Sequence, residues 1–159
     1  MQRSRKFNQG FATVEYLASA IVDMKLHLMP DGKVDPDAFE RATLKEIGMP
    51  DEIVMRHRTP QYNHLFTSDG YSAGYYSYLW SEVMDADTWK VFEEKGAFDR
   101  ATADKFRHQM LEVGNSVDLT DAFRAFRGRD PDVAALLEQR GLVPESGNGA
   151  GKTAGAQSR

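Results

Sequence analysis

The residues best suited to chemistry lie in His64-Leu-Phe-Thr-Ser-Asp-Gly-Tyr-Ser-Ala-Gly-Tyr-Tyr-Ser-Tyr-Leu-Trp80. Tyr71, Tyr75 and Tyr78 are spaced i, i+4, i+7, which on a helix gathers three phenols into one stripe. An apolar core would use Leu or Phe at such positions, because a buried phenol needs a hydrogen-bond partner. Hydroxyl donors beside the His64 imidazole suit a polar ligand, such as a peptide carbonyl and the oxyanion formed from it. Gly70 and Gly74 leave space for a close approach. Two plainer readings fit the same residue types. The tyrosines can pack amphipathically with their hydroxyls reaching solvent or carbonyls, and His64 can simply hydrogen-bond within its loop. Spacing alone leaves both open.

Other chemistries find little support. There is no cysteine, which removes disulfides, thiolate catalysis and sulfur-ligated metals. The four histidines, His27, His57, His64 and His108, include no pair four residues apart, so no His-Glu-x-x-His zinc helix is written here. Serine-nucleophile chemistry is not expected either. Arg56-His57-Arg58 could steer an acidic group or a peptide carboxylate, although such triplets are more often solvated. Arg124, Arg127 and Arg129 beside Phe123 and Phe126 resemble a nucleic-acid surface, but neighbouring aspartates cancel their charge. With a formal net charge of −4, no general attraction to nucleic acid or anionic membrane is expected.

The elements that must position these residues are marked by helix punctuation. Phe11 to Leu28 carries helical periodicity and ends before Pro30-Asp31-Gly32. Asp35-Pro36 opens a second helix and Gly48 closes it. Pro60 forces Arg58-Thr59 into an extended path, so at most a short strand or extended segment is expected around 54–66. Ser68, Asp69 or Gly70 should cap the tyrosine helix, running towards Met84. Asp87, Asp99, Asp118 and Asp130-Pro131 look like further helix starts, with Gly96, Gly114, Gly128 and Gly141 as stops. The expected fold is all-α, with about seven helices. No apolar run approaches membrane-spanning length, and a cytoplasmic setting is expected. Residues 146–159 hold no large apolar side chain and are expected to be a disordered tail. Their Gly-rich stretch up to Lys152-Thr153 misses the phosphate-loop spacing, because position 146 is Ser.

Longer stretches carry a resemblance. Phe7-Asn-Gln-Gly-Phe-Ala-Thr-Val-Glu-Tyr16, Arg56-His-Arg-Thr-Pro-Gln-Tyr-Asn-His-Leu-Phe66 and Gly70-Tyr-Ser-Ala-Gly-Tyr-Tyr-Ser-Tyr-Leu-Trp-Ser-Glu-Val83 stand in order along the chain. Gly114-Asn-Ser116 and Phe126-Arg-Gly-Arg-Asp-Pro131 follow them. Together they resemble the C-terminal part of the thimet oligopeptidase and peptidyl-dipeptidase family of zinc metallopeptidases, on the bacterial peptidyl-dipeptidase side. The likeness runs from about Lys6 to Val143. It implies a helical, two-lobed enzyme that cleaves short peptides, with residues 1–145 forming a C-terminal part of the catalytic domain. Tyr78 would stabilise the oxyanion. His64 and Tyr71 would hydrogen-bond the substrate backbone, and Tyr75 is a further candidate on the same stripe.

The family's His-Glu-x-x-His helix and glutamate zinc ligand precede the segment that Phe7 begins. The resemblance therefore implies Zn2+ in the full-length enzyme and no metal bound by this chain alone. The chain is expected to be inactive by itself, with an N-terminal peptidase portion as its partner. The alternative is a non-catalytic helical module, binding peptides or docking structurally through Phe11, Tyr16 and Leu17.

Overall fold

A computed structural model describes Ser4 and residues 6–143. The expected tail at 146–159 lies outside the described residues. Those residues form seven α-helices and no strand, so the fold is all-α. No described helix is long and apolar enough to cross a membrane.

Helix α1 spans Gln9–His27 and α2 spans Pro36–Glu46. The Asp35 carboxylate caps α2 by accepting the Ala38 N–H at 2.8 Å, with Pro36 preset in the first turn. Beyond its end, Gly48 takes φ +72°, a left-handed conformation that costs glycine little. The region 54–66 forms no strand. After the extended Arg58, Thr59–Gln61 makes a 3-10 turn and Asn63–Phe66 makes the one-turn helix α3. The Arg58-Thr59 corner is held by buried Glu40 of α2. Its carboxylate accepts from Arg58 Nε at 2.5 Å, and from the Thr59 N–H and Oγ1, both at 2.8 Å. Arg58 is therefore a structural anchor, although its side chain remains partly exposed.

The tyrosine segment departs from expectation. Helix α4 spans Ser77–Lys95, so Tyr78 lies in its first turn while Tyr71 and Tyr75 precede it. Tyr71 ends the 3-10 turn Asp69–Tyr71, and Ala73 sits at φ +57°. A helix through these residues would need regular i to i−4 bonding. Instead the Ala73 and Tyr75 N–H groups donate to the Asp23 carboxylate of α1, at 3.0 and 2.9 Å. A distant acceptor outcompetes the local one.

Asp87 is also not a helix start. It is buried in the middle of α4. Helix α5, Arg100–Phe106, is capped by Asp99 and continues into a π-turn, Arg107–Leu111. Helix α6, Leu119–Arg127, is capped by Asp118, which accepts the Thr120 and Asp121 N–H groups at 2.8 and 3.1 Å. Helix α7 spans Ala134–Arg140. Arg127 Nε and both Arg129 terminal nitrogens reach Asp87 at 2.7–2.8 Å, and the Asp132 N–H does so at 2.9 Å. Burial pushes the Asp87 carboxyl up, but the Arg129 and Arg127 hydrogen bonds outweigh it and hold the group below its ordinary range. Two of the three basic residues around α6 are thus committed to the buried Asp87 carboxylate.

The core has two parts. Ala18, Val22, Met49, Met55, Tyr62 and Leu65 pack together beneath the tyrosine segment, with Tyr71 and Tyr75 against them. Val83 and Ala86 of α4 pack on Ala135 and Leu136 of α7. Phe92, Phe106 and Phe126 also meet edge and face, and Phe123 of α6 is fully buried. Burial of one such ring stabilises by about 1.5–3 kcal/mol.

Candidate functional site

Four elements meet around the tyrosines. Helix α1 brings Tyr16 and Asp23, α3 brings His64, the turn before α4 brings Tyr71 and Tyr75, and α4 brings Tyr78. Tyr75 is the centre of the packing. The Tyr16 ring stacks on it at 5.1 Å, and buried Tyr62 meets it edge-on, also at 5.1 Å. The Tyr16 hydroxyl donates to the Tyr75 carbonyl at 2.8 Å. Tyr16 thus braces the site from α1.

His64, Tyr71 and Tyr78 converge as a polar triad. The Tyr71 and Tyr78 hydroxyls share a hydrogen bond of 2.5 Å, their rings stacked at 5.6 Å. His64 Nε2 lies 3.0 Å from the Tyr78 hydroxyl, and its ring is 4.3 Å from that of Tyr71. A phenol has one proton to give. Without substrate Tyr78 either gives it to one neighbour or accepts from both, and a substrate oxygen would compete for it. The hydrogen bond shared with Tyr71, which holds the Tyr78 proton when Tyr78 donates it, raises the Tyr78 phenol above its ordinary value of 10.0. At neutral pH it is a protonated donor. Burial pushes Tyr16 and Tyr62 up as well.

Tyr78 opens onto a cleft of about 380 Å³, also lined by Tyr16, Arg56, His64, Tyr75 and Arg140. Its rim carries two ion pairs, Arg56 with Glu15 at 3.4 Å and Arg140 with Glu82. All four expected residues therefore come together, although only Tyr78 does so from a helix. Tyr71 and Tyr75 reach the same place from an irregular turn.

Asp23 and Tyr16 were not foreseen. Their signal was faint but present: Tyr16 and Asp23 are seven apart on α1, and Ser19 and Asp23 are four apart, on its buried side. A carboxylate on an apolar face must have partners. Gly70-Tyr-Ser-Ala-Gly74 spells Gly-x-Ser-x-Gly, which in serine hydrolases marks a strained turn between a strand and a helix. Here a 3-10 turn precedes it, Ser72 has φ −61°, and the left-handed residue is Ala73. Ser72 is not on a nucleophile elbow.

Among the described residues no three His, Asp or Glu side chains gather as a metal site would need. The groups lining the cleft that could ligate a metal are one imidazole, His64, and one carboxylate, Glu82, which is already paired with Arg140, a set short of the three protein ligands that zinc needs.

Comparison with known proteins gives the chain a family. The family model for Peptidase family M3 matches residues 1–142. A dipeptidyl carboxypeptidase of Escherichia coli (strain K12) is 36% identical over 145 residues, covering 89% of this chain. Oligopeptidase A of the same organism is 34% identical over 145 residues, again 89% of this chain. A probable cytosolic oligopeptidase A of Arabidopsis thaliana is 34% identical over 150 residues, 90% of this chain. In each case the match covers 21% of the relative, so the chain spans about a fifth of their length. On a family match of that extent, this chain belongs to peptidase family M3.

Proposed function

We propose that this chain forms the C-terminal, substrate-binding and oxyanion-stabilising part of a zinc metallopeptidase that acts on short peptides, of the peptidyl-dipeptidase type. The observation that carries the reading is the Tyr78 hydroxyl, which faces the cleft beside His64 and is shared between His64 and Tyr71, the latter standing just behind the cleft lining. As a peptide carbonyl becomes tetrahedral, negative charge grows on its oxygen. The Tyr78 O–H turns to that oxygen and the bond strengthens with the charge. One such donor contributes about 3–4 kcal/mol to the transition state. His64 and Tyr71 keep Tyr78 oriented and offer hydrogen bonds to the peptide backbone, while Tyr75 supports the triad from behind.

In this reading a complementary N-terminal portion carries the His-Glu-x-x-His zinc helix, and this chain contributes donors, not the metal. A cytoplasmic setting belongs to the same proposal and is supported by the absence of cysteine. The test is complementation. The purified chain is mixed with the N-terminal portion of a family M3 peptidase and a short peptide with a free C-terminus. Release of dipeptides by the mixture, and by neither component alone, is the expected result. Peptide binding to the chain without turnover in any mixture would instead make it a non-catalytic peptide-binding module.

A further inference from the structure

Asp23 is fully buried, and each of its carboxylate oxygens accepts a backbone N–H from the tyrosine segment. Oδ1 accepts the Ala73 N–H at 3.0 Å and Oδ2 accepts the Tyr75 N–H at 2.9 Å, across fifty residues of chain. His27 Nδ1, one turn further along α1, lies 2.8 Å from Oδ1. The residues gripped flank Gly74, and one of them, Ala73, holds a φ of +57° that L side chains adopt uncommonly. Such a backbone persists only where its surroundings over-determine it. The Gly74 N–H closes the turn on the Tyr71 carbonyl at 2.9 Å, so the clamp acts on the residue bearing the Tyr71 hydroxyl.

From this arrangement we infer that Asp23 is the positioning residue of the site, whose two-oxygen grip on Ala73 and Tyr75 sets the Tyr71 hydroxyl against Tyr78. Both amide groups would otherwise be free to join a regular helix starting near Gly70. That helix would carry Tyr71 two full turns from Tyr78, about 10 Å along the axis. The 2.5 Å contact between the two hydroxyls would be lost. A single carboxylate on α1 therefore selects the irregular turn over the helix that the local sequence favours. Its importance for catalysis rests on the proposed role of Tyr78, whereas the clamp itself is read without substrate. Failure of the one is thus separable from failure of the other.

The experiment is amide hydrogen exchange and ring-contact NMR on the whole chain, comparing it with Asp23→Asn. Asparagine keeps one acceptor and turns an NH2 group towards the other amide. The expected result is exchange about tenfold faster or more at Ala73 or Tyr75, the loss appropriate to a charged acceptor. Cross-peaks between the Tyr71 and Tyr78 rings should weaken, while Phe123 in α6 and Leu136 in α7 exchange at their original rates. Unchanged ring cross-peaks overturn the inference, and so does equal acceleration everywhere, which would make Asp23 a residue of general stability. Ala73→Gly provides a second variant that folds more easily, because glycine accepts the turn without strain. There the ring contact should persist, since Asp23 still imposes it. Its loss would show that the side chain at 73, not Asp23, selects the turn.

Discussion

The Tyr71 and Tyr78 hydroxyls stand 2.5 Å apart although the two residues belong to different elements, a 3-10 turn and the first turn of α4. With His64 Nε2 at 3.0 Å, they make Tyr78 a hydroxyl with two protein partners at the mouth of a cleft. About 40% of Tyr78 remains exposed, so a substrate can reach the group that its neighbours orient. Preorganised donors of this kind avoid reorganisation at the moment charge develops.

The phenol pair makes a spectroscopic prediction. Because the bond that Tyr78 shares with Tyr71 raises Tyr78 above 10.0, Tyr71→Phe should lower the pH at which Tyr78 ionises. Titration of ring-labelled tyrosine by NMR reads this directly. A Tyr78 titration that does not move in the variant would mean the 2.5 Å contact is not maintained in solution.

Asp87 should matter most for stability. Asp87→Ala strands Arg127 and Arg129, and removal of one partner from a buried pair costs about 3–5 kcal/mol. The lower end is expected, because Arg129 is partly exposed and can return to water. Urea unfolding checks the value, and a change below about 1 kcal/mol would place the clamp among weak surface pairs.

The same clamp gives a pH dependence of definite sign. Asp87 titrates lower in the folded chain than its ordinary 3.8, so its contribution is complete above about pH 4. It is lost as the pH falls through the lower, folded value. Wild type should therefore lose more stability between pH 5 and 2 than Asp87→Asn does. Parallel curves for the two proteins would contradict the assignment.

Helix caps provide a local contrast. Asp118→Ala removes the acceptor for the Thr120 and Asp121 N–H groups at the start of α6, and should cost about 1 kcal/mol. Thermal unfolding of Asp118→Ala beside Asp87→Ala should rank Asp87 well above it. The reverse order would mean that α6 is held mainly by its own cap.

That contrast explains what the sequence revealed. Asp35, Asp99 and Asp118 act on amides two or three residues away, so their signatures are local and the all-α reading follows from them. The glycines at 48, 96, 128 and 141 stop helices for equally local reasons. Asp87 has the look of a cap but spends its oxygens on residues at least forty positions away. Asp23 does the same to Ala73 and Tyr75, which is why the tyrosine helix begins at Ser77 and not near Gly70. Periodicity still grouped three tyrosines that the fold brings into contact. It could not show that two of them arrive through a turn, because the competing acceptor lies on α1.

Turnover by Tyr78→Phe decides the function. In the complemented peptidase, with a short peptide substrate, loss of this hydroxyl should lower kcat by about 10²–10³. KM should change little, because the bond strengthens only as the oxyanion forms. A kcat within about twofold of wild type would remove Tyr78 from the oxyanion role and leave the triad a binding or packing feature.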